Sequence, residues 1–210
     1  MKIWTFEGGF DNNFTYLFSD GVSPDAAIVD ASVPLNSLKS TIEKNSLTPS
    51  KLLLTHTHFD HTAHLDEYIS VYPNAEVCAM DGSHRWLNEK SLFDGDTVQI
   101  GGLTVTAIHT PGHTQDSTCF HVQDVLFSGD TIFVGRTGRT IGAGSDTRQL
   151  YRSVSGKLLT LSGNTTIYSG HNYGPVQKIL MKENIEMSPL LQATDEDDFV
   201  RRMEEYERSR

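Results

Sequence analysis

Cysteine is nearly absent: two residues in 210, Cys78 and Cys119. A scaffold stapled by disulfides needs a denser supply, so the pair is expected as buried free thiols. No stretch approaches the ~20 consecutive apolar residues of a membrane helix, and no membrane partner is expected. The first residues, with Lys2 followed by Trp4, Phe6 and Glu7, have no apolar run of signal-peptide length, which sets a cytoplasmic expectation. Basic residues are in deficit, 17 against 27 acids, for a formal charge of −10. That balance lacks the basic footprint of a phosphate-backbone binder, so nucleic acid is not an expected partner. A G-x-S-x-G elbow is also missing, and with it the signature of one large class of serine hydrolases. Repeats and low-complexity linkers are absent too. The apolar fraction of 37%, counted without the 17 glycines, is that of a globular chain rather than a disordered one. A chain of this length suits one domain, residues 1–210, with 175–210 as a helical tail.

What is present alternates between strand and helix patterns. Short strands are expected at Lys2–Phe6, Phe14–Phe18 and Ala26–Val29, bounded by Asp/Asn/Gly turns. A helix should follow Pro34, with Leu35, Leu38 and Ile42 on one face; proline suits a first helical turn because its missing N–H has no partner there. Lys51–Thr55 holds three leucines and reads as a buried strand ending in polar residues. Leu65, Tyr68, Ile69 and Tyr72 give a second helix. Two hairpins are expected, Thr97–Ile100 with Leu103–Ile108 and Phe120–Val122 with Val125–Ser128. Helical spacing then covers about Asp146–Leu161, a strand covers Thr165–Tyr168, and two helices, Val176–Glu186 and Glu196–Arg208, complete the chain. Strand clusters separated by single helices indicate a layered α/β architecture.

Histidine is abundant: nine in all, four of them between His56 and His64. Within Thr55-His56-Thr57-His58-Phe59-Asp60-His61, four side chains capable of binding metal fall in six positions after an apolar strand. Residues two apart on an extended segment share a face, so His56 and His58 can converge on one ion while the following turn presents Asp60 and His61 to a second. Imidazole and carboxylate suit zinc, iron or manganese rather than calcium, which prefers oxygen. Three later residues repeat the arrangement of glycine and ligand after a strand: His113 in Thr110-Pro111-Gly112-His113, Asp130 in Phe127-Ser128-Gly129-Asp130, and His171 in Tyr168-Ser169-Gly170-His171. The remaining histidines, His64, His84, His109 and His121, have no such context and are left out of the ligand set.

With these motifs in order, the sequence resembles the metallo-β-lactamase-fold hydrolase superfamily from its first strands to beyond His171. The resemblance implies a four-layer αββα sandwich with two divalent metal ions, zinc first and iron or manganese as alternatives, at one edge of its sheets. Carried over position by position, it implies that His56, His58 and His113 hold one ion and Asp60, His61 and His171 the other, with Asp130 bridging. Gly129-Asp130-Thr131-Ile132-Phe133-Val134-Gly135, with Gly138-Arg139-Thr140, looks like the glyoxalase II branch, which also contains persulfide dioxygenases. Gly170-His171-Asn172-Tyr173-Gly174-Pro175 is similar to short bacterial members of that branch, which act on glutathione thioesters such as S-lactoylglutathione. Class B β-lactamases fit less well, since they are exported and carry Cys where Asp130 stands. Full-length glyoxalase II has a longer helical C-terminal domain that contacts glutathione; here only 39 residues follow His171. Arg136 and Thr137 also stand where relatives often show Gly-Cys.

The activity this implies is hydrolysis of a thioester. Two cations sharing a water would lower its pKa from 15.7 toward ~7, giving hydroxide to attack the carbonyl, with Asp60 and Asp130 orienting it. Those two carboxylates only partly offset the ions, so the site would stay cationic and suit a small anionic thioester substrate. Arg136 and Arg139 are candidates to pair with a substrate carboxylate, and Tyr173 to line the pocket. A mononuclear iron persulfide dioxygenase using His56, His113 and Asp130 is the alternative, and a metallo-nuclease a more distant one. Assembly into a homo-oligomer is left open.

Overall fold

Successive side chains of a strand point to opposite faces. In Asn13–Ser19, Phe14, Tyr16 and Phe18 enter one core cluster while Leu17 enters another, so both faces of this strand are covered. A computed structural model of the chain describes residues 1–81 and 89–209, which leaves His84 outside the described residues. The first sheet runs β1 (Lys2–Gly8), β2 (Asn13–Ser19), β3 (Asp25–Val29), β4 (Thr48–Leu53), β5 (Glu76–Met80) and β6 (Glu89–Leu92) in spatial order. Its first three strands pair antiparallel and the rest parallel. Parallel neighbours need crossovers: α1 (Asn36–Lys44) links β3 to β4, and α2 (Phe59–Thr62) with α3 (Leu65–Val71) links β4 to β5. Leu38, Ile42, Leu65 and Tyr68 of these helices pack on Leu17, Ile28, Leu52 and Leu54.

The second sheet uses β7 (Thr97–Ile100), β8 (Leu103–His109), β9 (Thr118–Val122), β10 (Val125–Gly129), β13 (Thr166–Ser169) and β14 (Lys178–Leu180), in the order β14-β13-β10-β9-β8-β7. Between β10 and β13 lie the small hairpin β11 (Ile132–Phe133) and β12 (Arg136–Thr137), then α4 (Thr147–Gly156). The two sheets share a core in which Phe18 and Phe127 stack at 5.1 Å. On the outer face, Cys119, Leu126 and Ile167 meet Leu150 and Val154 of α4, Met181 of α5 (Met181–Met187), and Phe199 and Met203 of α6 (Glu196–Arg208). Helix, sheet, sheet, helix is the four-layer order expected. Both cysteines are buried and free, and burial pushes their thiols up, Cys78 to about 12 and Cys119 to about 11. Among the described residues no helix is long and apolar enough to cross a membrane.

Two expected helices are shorter. The pattern at 146–161 breaks after Gly156 into a 3₁₀ turn, Leu158–Thr160, where the Lys157 ammonium is held by Asp94 at 2.8 Å and by the His109 carbonyl at 2.7 Å. The segment at 176–186 begins as β14, which pairs with β13 before α5 starts. One consequence of topology matters most. β9 is antiparallel to both β8 and β10, and β13 is parallel to β10, so β8, β10 and β13 all end at one edge.

Candidate metal centre

That edge collects the predicted residues. His113 follows β8, Asp130 follows β10 and His171 follows β13, while His56 to His61 leave β4 on the facing sheet. The Thr55 carbonyl accepts from the Thr118 amide at 2.7 Å and joins the two sheets there. Gly129, at φ +48°, brings the Asp130 loop against this segment; a Cβ would lie 2.5 Å from the Thr55 side chain. Gly170 is packed as closely, since its Cβ would meet Asp130 Oδ1 at 2.3 Å and His61 Cε1 at 2.8 Å. Only glycine lets the backbone approach a site this tightly.

All seven residues come together. The sets His56–His58–His113, His56–His61–Asp130 and Asp60–His61–His171 each present ligand atoms within 4.8 Å of one another. His58 Nδ1 lies 3.1 Å from both His56 Nε2 and His113 Nε2. His61 Nε2 and His171 Nε2 are 3.1 Å apart. Asp130 reaches both groups, with Oδ1 3.2 Å from His61 Nε2 and Oδ2 3.6 Å from His113 Nε2.

The outward nitrogens explain why these atoms face one another. His113 Nδ1 donates to the Arg139 carbonyl at 2.8 Å, His171 Nδ1 to the Asp11 carbonyl at 2.7 Å, and His61 Nδ1 to Asp30 at 2.8 Å. A neutral imidazole with its proton spent outward presents a lone pair inward, the orientation that outer partners give to metal-bound histidine. Several lone pairs and two carboxylates therefore converge. Asp130 Oδ1 is buried and finds no hydrogen-bond donor among the described residues. This donor set fits divalent cations.

The titration shifts carry the same demand for positive charge. Burial opposes a proton on His61, but the Asp130 and Asp30 charges outweigh it and raise its pKa; His171 is likewise lifted to about 10, against burial, by Asp130 and Asp60. Both carboxylates stay below the usual range although burial favours their neutral form: His61 and His171 hold Asp130 down, and His171, His61 and Asn13 hold Asp60 down. His56 is pushed the other way, by burial and by His61.

The candidate substrate residues divide. Arg139 is exposed and lines a cleft of about 370 Å³ together with His113 and Asp130, and its guanidinium has no partner among the described residues. Arg136 lines the same cleft but donates to the Tyr173 carbonyl and to the Tyr206 hydroxyl. The Tyr173 ring stacks on His171 at 4.6 Å, and its hydroxyl donates to Asp11.

Two contributors lie outside the predicted set. Asp30, buried at φ +56°, accepts from the Thr55 amide at 2.8 Å, the Thr55 hydroxyl at 2.7 Å and His61. Its signal was available, because it follows β3 as Asp130 follows β10. Asn13 donates to Asp60 Oδ2 at 2.7 Å, and nothing in the sequence separates it from an ordinary turn asparagine. His64 precedes α3 beside Glu67, and His109 bonds the Gln115 carbonyl.

Comparison with known proteins agrees with this construction. The family model described as the metallo-beta-lactamase superfamily matches residues 9–171. A hydroxyacylglutathione hydrolase from Francisella philomiragia is 33% identical over 175 residues, covering 82% of this chain and 68% of the relative. A probable polyketide biosynthesis zinc-dependent hydrolase, BaeB, from Bacillus velezensis is 31% identical over 187 residues, covering 83% and 81%. The crystal structure of ETHE1 from Myxococcus xanthus superposes with a TM-score of 0.87 at 26% identity, covering 97% of this chain and 90% of that one. The chain belongs to the metallo-beta-lactamase superfamily.

Proposed function

We propose that this protein is a binuclear metal-dependent hydrolase of thioesters of the S-lactoylglutathione type, in the glyoxalase II-like branch. The observation that carries the reading is the pair of converging ligand sets bridged by Asp130, one of three histidines and one of Asp60, His61 and His171. The names of the Francisella and Bacillus relatives support it. Divalent ions held there, zinc first, would supply Lewis acidity and an acidified water. The chain's own groups do the rest. Asp60, fixed by Asn13, and Asp130 orient the attacking water by accepting its hydrogen bonds. Arg139, in the cleft beside His113, holds a carboxylate of a small anionic substrate, flanked by Tyr173 and Arg136. Water oxygen adds to the carbonyl carbon, the C–S bond breaks, and acid and thiol leave. His58 stands 3.1 Å from both His56 and His113, which favours a three-histidine group over an iron facial set lacking His58.

Metal quantitation on protein purified without added metal, followed by a thioester panel on the same sample, tests the reading. Two divalent ions per chain and thioester cleavage are expected, abolished in Asp130→Ala and His58→Ala. One iron per chain, with oxygen uptake on glutathione persulfide, would overturn it.

A further inference from the structure

Three large apolar side chains stand in solvent at the mouth of the metal centre. Phe10 is 67% exposed, Phe59 68% and Ile141 65%. A single exposed apolar residue is ordinary on a protein surface; three from separate segments around one opening are not scattered. Phe10 belongs to the turn between β1 and β2, next to Asp11, which lines the cleft. Phe59 lies in sequence between His58 and Asp60, and its ring meets that of Phe10 at 5.1 Å. Ile141, from the loop before α4, lines a cavity of about 240 Å³ with His58, Asp60 and Asp130, and also with Arg139 and Tyr173.

The mouth therefore carries two unlike kinds of side chain. Arg139, Arg136 and Tyr173 are cationic and polar, while Phe10, Phe59 and Ile141 are exposed and apolar. A thioester also has two ends joined at the carbonyl. With an anionic thiol end on Arg139, the acyl end is left to meet the apolar side chains beside His58 and Asp60.

We propose that Phe10, Phe59 and Ile141 form an acyl-binding rim that selects thioesters with apolar acyl groups larger than lactoyl. The proposal rests on the thioesterase reading above and specifies the acyl half of its substrate. A fully buried methylene contributes about fourfold in affinity, and an open rim covering one side of the chain about half of that effect on a logarithmic scale, roughly twofold.

The test is a series of glutathione thioesters on the metal-loaded protein: acetyl, lactoyl, butanoyl and hexanoyl. The expected result is that kcat/KM rises about twofold per methylene from acetyl to hexanoyl, with lactoyl below butanoyl. Phe10→Ser and Ile141→Ser, both at exposed positions, are each expected to lower the hexanoyl-to-acetyl ratio about threefold or more. Hexanoate, but not acetate, should shift the ring resonances of Phe10 and Phe59. A flat or falling series with hydrolysis throughout overturns the rim and leaves the thioesterase reading intact. Hydrolysis of no member overturns the thioesterase reading and the rim with it. A dimer that Phe10→Ser dissociates, with the acyl series unchanged, makes the rim a contact between copies and also overturns the proposal.

Discussion

Asp30 is the residue on which the metal centre leans without belonging to it. Three donors, the Thr55 amide, the Thr55 hydroxyl and His61 Nδ1, meet its carboxylate in a buried position. Asparagine keeps the volume but replaces one acceptor oxygen with a donor, so Asp30→Asn sets N–H against N–H. One stranded buried donor costs about 1–3 kcal/mol. Loss of the partner that orients His61 should also lower metal affinity about 10- to 100-fold. Urea unfolding and competition with a chromophoric chelator measure the two effects, and unchanged affinity would remove Asp30 from the support of the site. At this scale the sequence was most legible for residues in local motifs: His56, His58, Asp60 and His61 identify one another by spacing. Asp30 and Asn13 act across the fold, with partners 31 and 47 positions away; Asp30 is marked only by its place after β3, and Asn13 by nothing local.

Among elements, the two sheets are tied together away from the site as well as at it. The Asp20 carboxylate accepts from the amides of Val22, Ser23 and Gly102, and Asp25 from that of Gly101, so the loop before β3 grips the turn of the β7–β8 hairpin. Those amide hydrogen bonds, that of Gly102 foremost, bring Asp20 from 3.8 to about 2. A carboxyl depressed on folding stabilises the protein above its unfolded pKa and loses that contribution as pH falls from about 4 toward 2. Asp20→Asn should therefore be less stable than wild type at pH 7, with the gap in urea midpoint closing below pH 4; a constant gap would contradict this origin. The C-terminal helix has a comparable hold on the site. Glu207 accepts from the Thr140 amide at 2.7 Å, anchoring the loop that bears Arg139 and Ile141. Glu207→Ala should accelerate amide hydrogen exchange at Thr140 by about tenfold, the loss of one charge-assisted hydrogen bond; unaltered exchange would mean the loop is held elsewhere. Strands of clear alternation, such as β7 and β8, were readable from sequence. Three-residue β14 was not, because its apolar residues also suit a helix and only pairing with β13 decides between them.

For the molecule as a whole, the ligand sets divide between its halves: His56, His58, Asp60 and His61 leave the first sheet, and His113, Asp130 and His171 the second. The formal charge of −10 includes the two carboxylates of this cluster, so the acidity that argues against nucleic acid also holds part of the site's demand for cations. An unfolded chain cannot assemble donors that lie up to 115 positions apart, as His56 and His171 do. Divalent ions should thus bind the folded state almost alone and stabilise it by mass action, by about 2.7 kcal/mol for one site at a free concentration 100 times Kd. In a chain of this size that corresponds to a rise in Tm of about 5–10 °C. Chelator-treated protein should melt lower by at least this interval, and zinc should restore the difference. His58, the exposed member of the three-histidine set, can be removed at little cost to the core, so His58→Ala should fold normally in the absence of metal yet regain less of the difference. A Tm that neither chelator nor zinc moves would mean that the donors close the two sheets together without an ion.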